Sequence, residues 1–115
     1  MENITGGAAT AASYKKISEE EAKGMMDDGK PYVLLDVRSV EEYKEQRIDG
    51  ALSIPLDEIA EKAEKILEDK NARILVHCQS GRRSAAASDI LVGLGYKNVN
   101  SFGGIGNWKY GTVSG

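Results

Sequence analysis

The segment Arg73-Ile74-Leu75-Val76-His77-Cys78-Gln79-Ser80-Gly81-Arg82-Arg83-Ser84 joins an apolar run to a short loop containing one glycine and two arginines. Arg73 to Cys78 has the length and β-branched content of a strand covered on both faces. Gln79 to Arg83 is too short to be anything but a tight connection. From about Ser84 to Leu94 the spacing of Ala86, Ile90, Leu91 and Leu94 predicts a helix with these residues inward, closed by Gly95. A strand that passes through so short a loop into a helix is half of a βαβ unit.

The flanking sequence supplies the rest. Ser18 with Glu21 has capping-box spacing, Ile17 can staple to Ala22, and Gly29 closes a helix predicted over 19–28. Pro31 then precedes the strand Tyr32-Val33-Leu34-Leu35. Ser39 and Glu42 repeat the capping box and start a short helix to about Glu45. Ala51 to Ile54 reads as a brief strand stopped by Pro55. Asp57 is expected to cap a helix that turns Ile59, Ala63, Ile66 and Leu67 inward. Asn98 to Phe102 makes a last strand, and Gly103-Gly104 leads to a short terminal helix holding Trp108 as a core anchor. Strands alternating with helices predict an α/β fold with a parallel sheet and right-handed crossovers. Residues 1–13, small and polar, read as a flexible N-terminal tail, and 14–115 as a single domain.

Composition narrows the function. Among 115 residues, 41% are apolar and 29% charged, with 15 basic and 18 acidic side chains. A net charge of −3 gives no reason to expect nucleic acid or an acidic membrane surface as partner. The longest apolar run is Tyr32 to Leu35, against the roughly 20 residues of a membrane span, so no span is expected. The one cysteine, Cys78, adjoins the one histidine, His77. Neither an internal disulfide nor a Cys/His zinc site can be assembled from them, and no metal is expected. Cys78 is therefore either a small core residue or the seat of the chemistry.

Its position favours the second. In open α/β sheets, ligands collect outside the carboxyl ends of the strands, where Cys78 lies. A short loop ahead of a helix N-terminus aims backbone N–H groups into its own concavity, and Gly81 permits the backbone this requires. The helix start, the loop amides, Arg82 and Arg83 all favour thiolate, the reactive form. His77 is not the activating base, because successive strand side chains point to opposite faces. Gln79 and Ser80 either line the mouth or are solvated loop residues. Ser84 either caps the helix or places its hydroxyl on the sulfur or a bound anion.

Four segments, in order, resemble the rhodanese (thiosulfate sulfurtransferase) family over about residues 15–113. Leu35-Asp36-Val37-Arg38 is similar to its Asp-Val-Arg segment. Glu41-Glu42-Tyr43 with Arg47-Ile48-Asp49-Gly50-Ala51 and Ile54-Pro55 is similar to its Glu-Tyr, His-Ile-x-Gly-Ala and Ile-Pro segment. Cys78 to Arg83 resembles its active-site loop, and Gly103-Gly104 with Trp108 its C-terminal signature. Arg47 replaces the family's usual His, and Gln79 an Arg found in many members. Cysteine-dependent phosphatases and arsenate reductases also begin His-Cys, but they resemble one another in placing five residues between Cys and Arg. Here four separate Cys78 from Arg83. A Gly-x-Gly-x-x-Gly reading of Gly104 and Gly106 fails for want of the third glycine, and no serine-hydrolase elbow exists.

The resemblance implies a rhodanese-like fold, a central mainly parallel sheet flanked by helices on both faces. It also implies a sulfurtransferase without metal or organic cofactor. Cys78 would take the outer sulfur of thiosulfate or a related donor as a persulfide, held by the loop Gln79, Ser80, Gly81, Arg82 and Arg83. A thiol or cyanide, or a sulfur-accepting protein, would remove it. Asp36 is expected to order neighbouring loops, and Arg38 to pair with a carboxylate such as Glu42. A carrier or regulatory module without fast turnover is the alternative. A reactive thiol is kept reduced in the cytoplasm, the expected compartment, unless residues 1–13 follow a removed export signal.

Overall fold

The computed structural model describes residues 13–115, so apart from Ser13 the expected tail lies outside the described residues. Five strands, β1 (Lys15–Lys16), β2 (Val33–Asp36), β3 (Leu52–Ser53), β4 (Ile74–Cys78) and β5 (Val99–Gly104), form one sheet in the order β1-β5-β4-β2-β3. Every strand pairing in it is parallel. Four α-helices connect them among the described residues: α1 (Glu19–Asp27), α2 (Val40–Glu45), α3 (Ile59–Ile66) and α4 (Arg82–Gly93). Strand β1 has no apolar signal, being two exposed lysines, and exists through its pairing with Asn100 and Ser101 of β5.

Both expected capping boxes form. Ser18 Oγ accepts the Glu21 N–H at 3.0 Å and Glu21 Oε1 the Ser18 N–H at 2.9 Å. Ser39 and Glu42 do the same at 3.2 and 3.0 Å. The sheet separates two apolar layers. Leu35, Ile74, Val76 and Cys78 pack with Ile59, Ala63, Ala87 and Leu91 of α3 and α4. Leu34, Leu75 and Phe102 pack on the other face with Ala22 of α1 and with Ile48. That is the period-two alternation of a sheet covered by helices on both faces.

Several boundaries differ from expectation. A 3₁₀ turn at Leu56–Glu58 precedes α3, which has no side-chain cap, so Asp57 is not its N-cap. Ile66 is exposed, because the inward arc centres on Ala63 and Ile66 lies about 60° round from it. Helix α4 starts at Arg82, two residues early, with Gly81 as N-cap at φ 108°. Its inward stripe is Ser84, Ala87, Ser88 and Leu91 while Ala86 is exposed, because two serines occupy places that an apolar count assigns elsewhere. No terminal α-helix forms. A 3₁₀ turn at Ile105–Asn107 leads to a half-buried Trp108, which packs against Phe102 and Tyr110 with ring centroids 5.6 and 4.9 Å away.

Topology fixes where the site can be. The connection after β2 goes outward to β3, whereas that after β4 goes the opposite way to β5, so adjacent β2 and β4 flank the switch point of the sheet. A crevice opens there at their carboxyl ends. Across β4 and β5, Cys78 pairs with Gly104 beyond an irregularity in register. A Cβ on Gly104 would stand 2.2 Å from the Cys78 carbonyl oxygen and 2.5 Å from that of Gln79. Gly104→Ala is expected to destabilise the domain by about 3 kcal/mol or more, as overpacking against immobile backbone does. Gly24→Ala, with open space around its Cβ within α1, should stabilise by about 0.5–1 kcal/mol. Urea unfolding of both variants checks the pair.

Candidate active site

Cys78 ends β4 at the switch point and is 1% exposed. Its Sγ accepts the Gly81 N–H at 3.0 Å. Burial pushes the thiol's pKa up, but the backbone N–H groups of Ser84, Gly81 and Ser80 and the Ser84 hydroxyl outweigh that and hold it below the usual thiol value. The positive φ of Gly81 turns the chain so that the first amides of α4 face back toward the sulfur. Such a cradle favours a thiolate and any negative sulfur attached to it.

Ser84 is not the helix cap. It is buried, and its Oγ lies 3.1 Å from the Gly81 carbonyl oxygen and 2.9 Å from Ser101 Oγ. The loop is thereby tied to β5 through two hydroxyls. Gln79 and Ser80 are exposed, and the Gln79 carbonyl accepts the Gly106 N–H at 3.0 Å. Ser80 and Gly81 line a cavity of about 350 Å³ on the β5 side of the loop. On the β2 side a cleft of about 470 Å³ lies between Val37, Ser39, Glu41, Leu56, Asp57 and Arg83.

The two loop arginines differ. Arg82 is exposed and makes no ion pair among the described residues. Arg83 forms a bidentate pair with Glu42, Nη1 to Oε1 at 2.7 Å and Nη2 to Oε2 at 3.0 Å. This pair, with the Ser39 N–H, holds the Glu42 carboxyl down to about 2 despite partial burial. The expected Arg38–Glu42 contact is therefore absent. Arg38 turns instead to Asp36, Nη2 to Oδ2 at 2.8 Å, and donates to the Gln46 carbonyl. Asp36 Oδ1 also accepts the Arg38 N–H at 3.0 Å, which fixes the turn directly after β2. Asp36, two residues away, holds Arg38 in a short ring through both its backbone N–H and its guanidinium.

His77 faces the other layer, its ring 5.3 Å from that of Phe102. Nδ1 is 3.2 Å from the Cys78 carbonyl oxygen, and Nε2, without a hydrogen-bond partner, is 3.8 Å from Asp36 Oδ2. Burial pushes its pKa down, with Asp36 opposing. A neutral, buried imidazole on the far face cannot act as base toward Cys78. Sequence reasoning missed the reach of Arg83 to Glu42 and the Ser84–Ser101 contact. The first had a partial signal, since a capping box uses only one oxygen of its glutamate. The second had none.

The description "Rhodanese-like domain" fits residues 18–110 of this chain. The chain belongs to the rhodanese family. Among curated relatives, the thiosulfate sulfurtransferase PspE of Escherichia coli is 39% identical over 71 residues, covering 62% of this chain and 68% of that protein. The thiosulfate sulfurtransferase GlpE of Coxiella burnetii is 36% identical, covering 84% and 88%. YrkF of Bacillus subtilis, named as a candidate sulfur carrier, is 37% identical over 85% of this chain, which spans only 52% of its length. A solved rhodanese with anions from Escherichia coli superposes with a TM-score of 0.69 at 35% identity, covering 74% of this chain and all of that one. The rhodanese architecture is thus shared in fold and in sequence.

Because Glu42 has its pKa lowered in the folded protein, the stability it contributes is complete above its unfolded value of about 4.5 and is lost as pH falls toward about 2. The pair is about one-third exposed, so Glu42→Gln should cost only about 1 kcal/mol near neutrality. Urea unfolding of wild type and variant between neutrality and low pH should show this difference closing below pH 4.5. Ultraviolet thiolate absorbance, read against Cys78→Ser, should titrate below an ordinary thiol, and Ser84→Ala should move the midpoint upward.

Proposed function

We propose that residues 14–115 work as one domain that transfers a sulfane sulfur through a Cys78 persulfide. The observation that carries this is the sulfur set at a strand end within a cradle of backbone N–H donors, in a rhodanese chain. The Cys78 thiolate attacks the outer sulfur of thiosulfate or a related donor. A Cys78–sulfur bond forms, the donor's bond to its sulfonyl sulfur breaks, and sulfite leaves with the electron pair. The N–H groups of Ser80, Gly81 and Ser84 stabilise the negative persulfide as oxyanion-hole donors stabilise oxygen. A thiol or cyanide then attacks the outer sulfur and the Cys78 thiolate returns. Arg82 attracts the anionic donor, while Gln79 and Ser80 border its approach. Asp36, Arg38 and Glu42 hold the surrounding turns. The steps require no metal or organic cofactor.

The near-complete burial of Cys78 and the likeness to YrkF favour a second reading, a sulfur carrier that loads readily and unloads only to a protein acceptor. Phosphatase chemistry fits poorly, because the four-residue spacing from Cys78 to Arg83 makes a small ring and Glu42 occupies the arginine. No helix among the described residues is long and apolar enough to cross a membrane. The cytoplasm is the proposed compartment, since a lone reactive thiol is kept reduced there.

Incubation with thiosulfate followed by intact-mass spectrometry should show one added sulfur atom, removed by cyanide and absent from Cys78→Ala. A chain that gains no sulfur from any sulfane donor is not a sulfurtransferase. Steady thiocyanate production with cyanide supports the enzyme, and a stable adduct without turnover supports the carrier.

A further inference from the structure

Glu42 is the third residue of α2, and its carboxylate crosses the crevice between β2 and β4 to the start of α4. Oε1 accepts the Ser39 N–H at 3.0 Å and Arg83 Nη1 at 2.7 Å, and Oε2 accepts Arg83 Nη2 at 3.0 Å. Both terminal nitrogens of Arg83 are therefore engaged. Arg83 stands two residues after Gly81, the N-cap whose N–H meets Cys78 Sγ at 3.0 Å, so the pair lies beside the cradle. The cleft beside Arg83 is edged by Glu41, Asp57 and Glu58, of which Glu58 pairs with Lys62. Arg82 is the remaining loop cation, with no ion pair among the described residues. The cleft beside Arg83 is thus close to neutral or negative, although the loop carries two arginines.

Resting on the sulfurtransferase reading above, we propose that Glu42 sets the charge class of the donor. By cancelling Arg83 at the mouth of the Cys78 cradle, it favours singly charged sulfane donors over doubly charged thiosulfate. Two donors present the same outer sulfur to the same step and differ in charge. With thiosulfate, the Cys78 thiolate forms a bond to the outer sulfur and sulfite departs with the electron pair. With methanethiosulfonate, the same bond forms and methanesulfinate departs. Neither step moves a proton or needs an external oxidant. A carboxylate fixed by three hydrogen bonds beside the path acts on the charge of the incoming donor, so its effect scales with that charge.

Glu42→Gln tests this, because a glutamine oxygen still accepts the Ser39 N–H and preserves the capping box while the charge is lost. The kcat/KM for persulfide loading is measured with both donors in wild type, Glu42→Gln and Glu42→Asp. At low salt the glutamine variant should gain about tenfold with thiosulfate and about threefold with methanethiosulfonate, so the ratio between donors moves by about threefold. That movement should shrink at high salt. Glu42→Asp, which keeps the charge, should keep the wild-type ratio. Calorimetry of unreacted thiosulfate with Cys78→Ser should show tighter binding once Glu42→Gln is added. A ratio unchanged in Glu42→Gln, or an equal loss with both donors, overturns the proposal and makes the pair structural only. Wild type that takes sulfur from neither donor overturns the sulfurtransferase reading itself.

Discussion

The parallel register of β2 and β4, with Asp36 opposite His77, is the constraint on which the rest of the site depends. The chain leaves these two strands in opposite directions, so a crevice opens between their carboxyl ends. What stands around that space is set by one residue after another along each exit. After β2 come Asp36, Arg38 and the capping box of Ser39 and Glu42. After β4 come Cys78, the glycine turn and Arg83. A slip of one residue in the pairing would exchange Cys78 with His77 between faces and place the imidazole in the cradle.

Charge is arranged in two tiers around this crevice. The lower tier is buried: Asp36 and Arg38 neutralise each other below the surface, beside a neutral His77. Removing either partner would leave an uncompensated charge in the interior, so the pair is better understood as fixing the turn after β2 than as a source of net stability. The upper tier, Glu42 and Arg83, is partly exposed and joins α2 to α4. It is this upper tier that an arriving anion encounters.

The fold was legible because its signals are local. Both capping boxes, the two buried strands and the glycine after β4 each name their structure from a few adjacent residues. The places of Cys78, at a strand end before a short loop, and of His77, on the opposite face, follow from strand period and helix start. Partner choice does not. Arg83 reaches Glu42 over 41 residues of sequence, and Arg38 prefers a carboxylate two residues away. Guanidinium chains are long enough to reach several acids, and only the packed turn decides among them. Strand β1 was invisible because two lysines carry no apolar period, and the inward place of Ser84 was invisible because its hydroxyl meets a partner that comes from β5.

The groups that favour the Cys78 thiolate are chiefly main-chain N–H groups, with that of Gly81 bonded to Sγ at 3.0 Å. Their direction is set by the φ of Gly81 and by the start of α4, not by what the neighbouring side chains are. Gln79, Ser80 and Arg82 can therefore be exchanged through evolution without disturbing the sulfur's surroundings. One backbone can keep its reaction while its recognition surface is rewritten, and within this loop Gly81 and Ser84 are the places where that freedom ends.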